Sequence, residues 1–122
     1  MRIMPGKVLK MENKLPKRIV IKCGSSLVST ENGGVNEEYI TRLSSVISQV
    51  KSRGIEVVLV SSGAIAAGYR LLSFAKRPSD VPSLQACAAV GQAALIDSYA
   101  KHFKEHELAV GQVLLTLNDT TS

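Results

Sequence analysis

Two aliphatic runs that break without a spacer into serine and glycine constrain this chain more than any other feature. Ile19-Val20-Ile21 leads into Lys22-Cys23-Gly24-Ser25-Ser26, and Val57-Val58-Leu59-Val60 leads into Ser61-Ser62-Gly63-Ala64. Between them lies a helical signature. Asn36 is placed as N-cap, Glu37 and Glu38 suit the positive end of a helix dipole, and Ile40, Leu43, Ile47 and Val50 recur at helical spacing. Lys51 and Arg53 suit the last turn, and Gly54 is a left-handed stop. The pattern predicts strands over 18–23 and 55–60 joined by this helix. Such a βαβ unit has parallel strands and a right-handed crossover. Strands this apolar along their length are expected to be covered on both faces.

The rest of the chain extends the same logic. Glycines and polar residues over 24–34 predict a loop. A helix is expected to open at Gly63 and run toward Ser73, with Ser62 near its cap and small residues permitting close backbone approach. Two prolines mark 74–82 as a loop. A long helix follows over 83–105, with Leu84, Cys87, Ala88, Gly91, Leu95, Tyr99 and Phe103 facing inward. Its Ala and Gly content predicts tight packing. A third strand is expected over 109–116, and Asn118-Asp119-Thr120 starts another strand-end loop. Three strands with helices make an α/β fold whose open, mainly parallel sheet is incomplete in this chain, since such sheets commonly have five or more strands.

Composition narrows the function classes. The chain has 122 residues, 45% hydrophobic and 20% charged, within the range of ordinary globular domains. No run approaches the ~18 uncharged apolar residues of a membrane span, so no membrane association is expected. The net charge of +5 invites a nucleic-acid reading. Yet six of the fifteen basic residues (Arg2, Lys7, Lys10, Lys14, Lys17 and Arg18) fall at the N-terminus. Three Tyr, two Phe and no Trp make a poor base-stacking surface. No nucleic acid is expected to bind through this segment, and an anionic small substrate suits the charge equally well. Residues 1–17 are expected to be a basic, flexible extension without the apolar core of a secretory signal. Cys23 and Cys87 stand far apart in apolar surroundings, which predicts reduced core residues and an intracellular setting.

The chemistry points to phosphoryl transfer. Neither GxxxxGK[ST] nor a GxGxxG after a strand is present, which sets aside P-loop kinases and Rossmann dehydrogenases. What remains is a lysine at a strand end, just ahead of the glycine turn. Lys22 there would reach toward a transferring phosphoryl group, whose oxygens spread negative charge that a fixed cation stabilises. Gly24, Ser25 and Ser26 would offer N–H groups and hydroxyls to the same phosphate. The alternative is a lysine that carries its ammonium off a strand end into water. The turn at Ser62, Gly63 and Ala64 would present backbone donors to a carboxylate or phosphate; the alternative is a plain N-cap. In an open parallel sheet both loops belong at the carboxyl rim, where ligands bind. His102 and His106 stand four apart, a spacing a metal could use. No third ligand is evident, and Lys101, Lys104 and Glu107 mark the region as solvated, so no metal site is expected. The serines have no recognisable His and Asp partners for hydrolysis.

Four stretches, 19–28, 60–68, 85–92 and 110–119, resemble the amino acid kinase family, in family order and across residues 18–122. The SSGAIAAG of 61–68 followed by the AVGQ of 89–92 is similar to the branch acting on the γ-carboxylate of L-glutamate. Cys23 and Ser25 stand where the family often has an aliphatic residue and Thr. The resemblance implies a three-layer αβα sandwich, with 18–122 as the N-terminal, acceptor-binding part of a kinase domain. It also implies ATP and Mg²⁺ as cofactors, formation of L-glutamate 5-phosphate in the first step of proline synthesis, and a cytoplasmic homo-oligomer. L-proline is implied as a feedback inhibitor, with Asn118 and Asp119 toward its pocket. Lys22 matches the family's ATP-phosphate lysine, with Gly24, Ser25 and Ser26 beside it. Ser62 matches a substrate-binding serine, with Gly63 and Ala64 next to it. Further site residues of the family lie past residue 122, so this stretch alone is expected to be inactive. Two alternatives remain open: another kinase of the family, and a non-catalytic half-domain that binds glutamate or proline.

Overall fold

The computed structural model of the chain describes residues 14–114. Most of the expected basic extension, the end of the expected third strand and the Asn118-Asp119-Thr120 loop lie outside them. The elements run β1 (Arg18–Cys23), α1 (Ser25–Val28), α2 (Glu37–Lys51), β2 (Glu56–Ser61), α3 (Ala64–Gly68) and α4 (Val81–Lys104). β1 and β2 pair in parallel, with Arg18 opposite Glu56, Lys22 opposite Val60 and Cys23 opposite Ser61. The strand–helix–strand unit expected from the sequence is therefore present, in an α/β arrangement whose sheet is two-stranded among the described residues.

Local chemistry explains the boundaries. The Asn36 side chain accepts from Tyr39 N–H at 3.1 Å and caps α2, whose first turn carries Glu37 and Glu38. At the other end Gly54 takes φ +79°, a left-handed conformation open to glycine at little cost. α4 begins two residues earlier than the prolines imply. Asp80 caps it through Ser83 N–H at 3.0 Å, and Pro82 sits in the first turn, where its missing N–H costs nothing. α3 is shorter than expected, because Gly63 rather than Ser62 is its cap and the helix gives way to turns after Gly68. Residues 25–28, expected as loop, close a single helical turn.

The core is built on one face of the sheet. Cys23, Val28, Ile40, Leu43, Ile47, Ala67, Leu95, Tyr99 and Phe103 form one buried cluster, with Ile21, Val57 and Leu59 packed against it. The alternate residues face outward: Val20 is 65% exposed, Val58 44% and Val60 46%. The cover expected on the second face is not present among the described residues. Among the described residues, all packing falls on the side of Ile21 and Leu59. α3 and α4 meet most closely of all. A Cβ at Gly68 would collide with the Cys87 carbonyl, and one at Gly91 with the Ala64 carbonyl. The small residues expected to allow close approach do so here.

The third strand is also corrected. Residues 109–114 form no strand hydrogen bonds, although Leu108 and Val110 pack against the core. A cleft of about 1020 Å³ lies between this stretch and β2. Leu115 and Thr116, the rest of that expected strand, are outside the described residues.

Candidate functional site

The parallel register carries both glycine-serine loops to one rim. Because Cys23 and Ser61 are register partners at the ends of their strands, the chain leaves the sheet side by side at 24 and 62. Ser62 N–H donates to the Cys23 carbonyl at 2.9 Å, which extends the ladder one step past β2. Gly63 then turns at φ +98°. A Cβ there would stand 2.6 Å from Val28 Cγ2 and 2.9 Å from Ser25 Cα, so the two loops touch and glycine is required.

Within this frame the expected site residues fall together. Lys22 is exposed beside the rim, on the outer face of the sheet. Among the described residues it has no carboxylate partner. Gly24 caps α1 and its carbonyl accepts from Leu27 and Val28 N–H, while the N–H groups of Ser25 and Ser26, both exposed, precede the first intrahelical bond. The same holds for Ala64 in the first turn of α3, next to the exposed Ser62. The arrangement thus brings an exposed cation, two hydroxyls of α1, the Ser62 hydroxyl and two sets of free main-chain donors to one edge. These are donors and a cation, a set suited to anionic oxygens rather than to a metal ion. The large cleft beside β2 reaches this rim only through Ser61.

Beneath the rim, two tyrosines meet the strand ends: Tyr99, which the sequence marks only as a core residue, and Tyr39, which it does not single out. The Tyr99 hydroxyl lies 2.7 Å from Ser61 Oγ, and the Tyr39 hydroxyl lies 3.5 Å from Cys23 Sγ. The hydrogen bond to Cys23, together with burial, pushes Tyr39 up to about 12. Burial raises Tyr99 as well, against the opposing hydrogen bond with Ser61. Both phenols remain protonated at neutral pH. Nothing in the sequence pairs them with the strand ends; Tyr99 shows only the helical spacing of a core residue.

A second polar cluster joins α2 to α4. His102 is buried, which corrects the solvated surroundings expected for it; only His106, half-buried, approaches that description. His102 Nε2 stands 2.6 Å from Glu37 Oε2, and Ser98 Oγ donates to the same oxygen at 2.7 Å. Thr41 Oγ1 lies 3.2 Å from His102 Nδ1 and donates to the Glu37 carbonyl at 2.8 Å. Partial burial works against the Glu37 carboxylate. The hydrogen bonds from Ser98 and His102, with the charges of His102 and Lys101, outweigh it and hold the carboxyl below its usual range. Cys23 and Cys87 are fully buried and free, as core residues should be.

Comparison with known proteins agrees with this architecture. The sequence profile of the amino acid kinase family matches residues 17–122. A glutamate 5-kinase of Herminiimonas arsenicoxydans is 50% identical over 103 residues, covering 84% of this chain and 28% of the relative. That of Salinispora arenicola is 48% identical over 105 residues, covering 86% and 28%. That of Listeria welshimeri is 49% identical over 107 residues, covering 88% and 39%. The chain therefore spans between about a quarter and two fifths of the length of these relatives. With the profile matched over nearly its whole length, and with relatives this similar, the chain belongs to the amino acid kinase family.

Proposed function

We propose that this chain supplies the phosphate- and acid-binding rim of a glutamate 5-kinase, which transfers the γ-phosphoryl group of ATP to the γ-carboxylate of L-glutamate. The observation that supports the reading is that Lys22 and the Ser62–Gly63 turn stand at the same end of two in-register parallel strands, joined there by the Ser62 N–H bond to the Cys23 carbonyl. Lys22 neutralises charge on the oxygens of the phosphoryl group as the bond to its donor loosens, where a fixed cation lowers the barrier most. Gly24, Ser25 and Ser26 hold the phosphates through first-turn N–H groups and hydroxyls. Ser62, Gly63 and Ala64 hold the acceptor acid and keep its γ-carboxylate in line. Mg²⁺ accompanies the nucleotide and adds charge neutralisation at the phosphates. The names of the relatives and the donor chemistry of the rim support this reading together.

On the same reading, the product enters proline synthesis, the enzyme is cytoplasmic and homo-oligomeric, and L-proline acts as a feedback inhibitor. Because the chain spans a fraction of its relatives' length, turnover is proposed to need the further residues that those relatives carry. A second reading is a half-domain that binds glutamate or proline without turnover. Glutamate-dependent protection against unfolding with no ADP formed favours it. A different acid preferred in substrate profiling points instead to another kinase of the family.

The test uses a form extended to the relatives' length. Acyl phosphate formed from ATP and glutamate is trapped with hydroxylamine as the hydroxamate. Lys22→Ala is expected to lower kcat by about 10²–10³, the scale for losing one preorganised charge-stabilising group. A change confined to KM contradicts the role of Lys22. An absence of glutamate-dependent turnover in the unaltered enzyme contradicts the function.

A further inference from the structure

Ser61 is the last residue of β2 and joins the sheet to the Ser62–Gly63 turn. Its side chain faces inward, where Tyr99 of α4, 3% exposed, brings a phenolic hydroxyl to 2.7 Å. Ser61 Oγ also donates to the Ser62 carbonyl at 3.3 Å. A hydroxyl has one proton, so if Ser61 donates to that carbonyl it must accept from Tyr99. The result is a directed chain: Tyr99 O–H to Ser61 Oγ–H to Ser62 C=O. In a planar trans peptide the carbonyl and the following N–H point in opposite senses. Holding the Ser62 carbonyl toward Ser61 therefore turns the Gly63 N–H the other way. Gly63, at φ +98°, has no side chain to restrain that plane.

We propose that Tyr99 is a positioning residue for the acid-binding turn, acting through the Ser61 hydroxyl to fix the Ser62–Gly63 peptide plane. The inference rests on the reading that this turn holds the acceptor acid. Tyr99 touches no ligand; its effect is on which way a main-chain donor points. Tyr39 provides an internal comparison. It also reaches a strand end, but its partner is a sulfur at 3.5 Å, a weaker contact, and no hydroxyl relays it to a rim carbonyl.

The experiment measures steady-state kinetics and amide hydrogen exchange in the complete enzyme. Tyr99→Phe, which keeps the ring, is expected to raise the KM for glutamate about tenfold, the scale of one lost hydrogen bond. The KM for ATP stays within about twofold on the same scale. Ser61→Ala gives the same loss, the double variant adds nothing further, and Ser61→Thr restores the unaltered behaviour. Exchange in the segment 62–66 rises in Tyr99→Phe and Ser61→Ala but not in Tyr39→Phe. Equal losses for both substrates, additive effects, or the same phenotype in Tyr39→Phe overturn the proposal, because general loosening of the core then accounts for them. If the unaltered enzyme shows no glutamate-dependent turnover, the functional reading fails, and the exchange pattern alone decides whether Tyr99 orders the turn.

Discussion

Glu37→Gln removes the charge that ties α2 to α4. In the native chain one carboxylate oxygen accepts from Ser98 at 2.7 Å and meets His102 at 2.6 Å. Hydrogen bonds to a charged group contribute about 1.5–3 kcal/mol each when shielded from water. Glu37 is not shielded: its side chain is 55% exposed, against 10% for His102. Water replaces much of what the carboxylate provides, so the pair of contacts is discounted to about 1–2 kcal/mol in all. For a chain of this size that corresponds to a Tm lower by about 3–8 °C. The pH dependence has a definite sign. The folded carboxyl is held below its ordinary value of 4.5, so its contribution is complete above that value and disappears as the pH falls through the lower, folded one. The substituted amide does not titrate. Urea unfolding followed by circular dichroism should show the widest gap between the native chain and the Glu37→Gln variant near neutral pH, and a gap that narrows from about pH 5 downward. Equal stability near neutral pH, or a gap that persists undiminished near pH 3, refutes the assignment of this carboxylate as the clasp.

Two further substitutions separate contacts that matter from contacts that do not. Gly91→Ala gains about 1 kcal/mol of helix propensity but drives a methyl into the Ala64 carbonyl, whose backbone cannot yield; a net loss of about 3 kcal/mol or more is expected in chemical denaturation. Arg18→Ala breaks an ion pair of 2.7 Å between side chains that are both 64% exposed, and the same assay should register a change below about 1 kcal/mol.

What the sequence made legible follows from the range of the interactions involved. The βαβ unit, the α2 stripe and the caps at Asn36 and Gly54 depend on neighbours a few positions apart, and they stand where the pattern puts them. The common rim follows from the same unit, since two parallel strands in register must end on one side. Contacts between residues sixty positions apart leave no such trace. His102 has the neighbours of a solvated residue along the chain, yet α4 crosses α2 so that it meets Glu37, a residue the sequence places only as a dipole partner. One carboxylate serves both purposes, and only the crossing reveals the second. The Asp80-Val81-Pro82 start of α4 is a local signal of the first kind, since an acidic cap followed by a first-turn proline opens a helix as well as closing a loop.

The apolar outer face of the sheet shows how a correct local signal can outrun the described residues. Val20, Val58 and Val60 have the composition of buried strand positions and stand open here. Burying a valine stabilises it by about 1.5 kcal/mol or more, so three in one exposed row form a surface that solvent penalises. Lys22 lies in the same row, at its rim end. Any element that covers these valines therefore also lowers the dielectric around the Lys22 stem, which on the proposed function would strengthen the attraction of its ammonium for a phosphate. The outer face of the sheet thus sets packing beside charge: Val20 precedes Lys22 on the outward row of β1, and Val58 and Val60 continue that face on β2. Sequence alternation fixes that arrangement, because a shift of one position would send Lys22 into the core and Cys23 to the outer face.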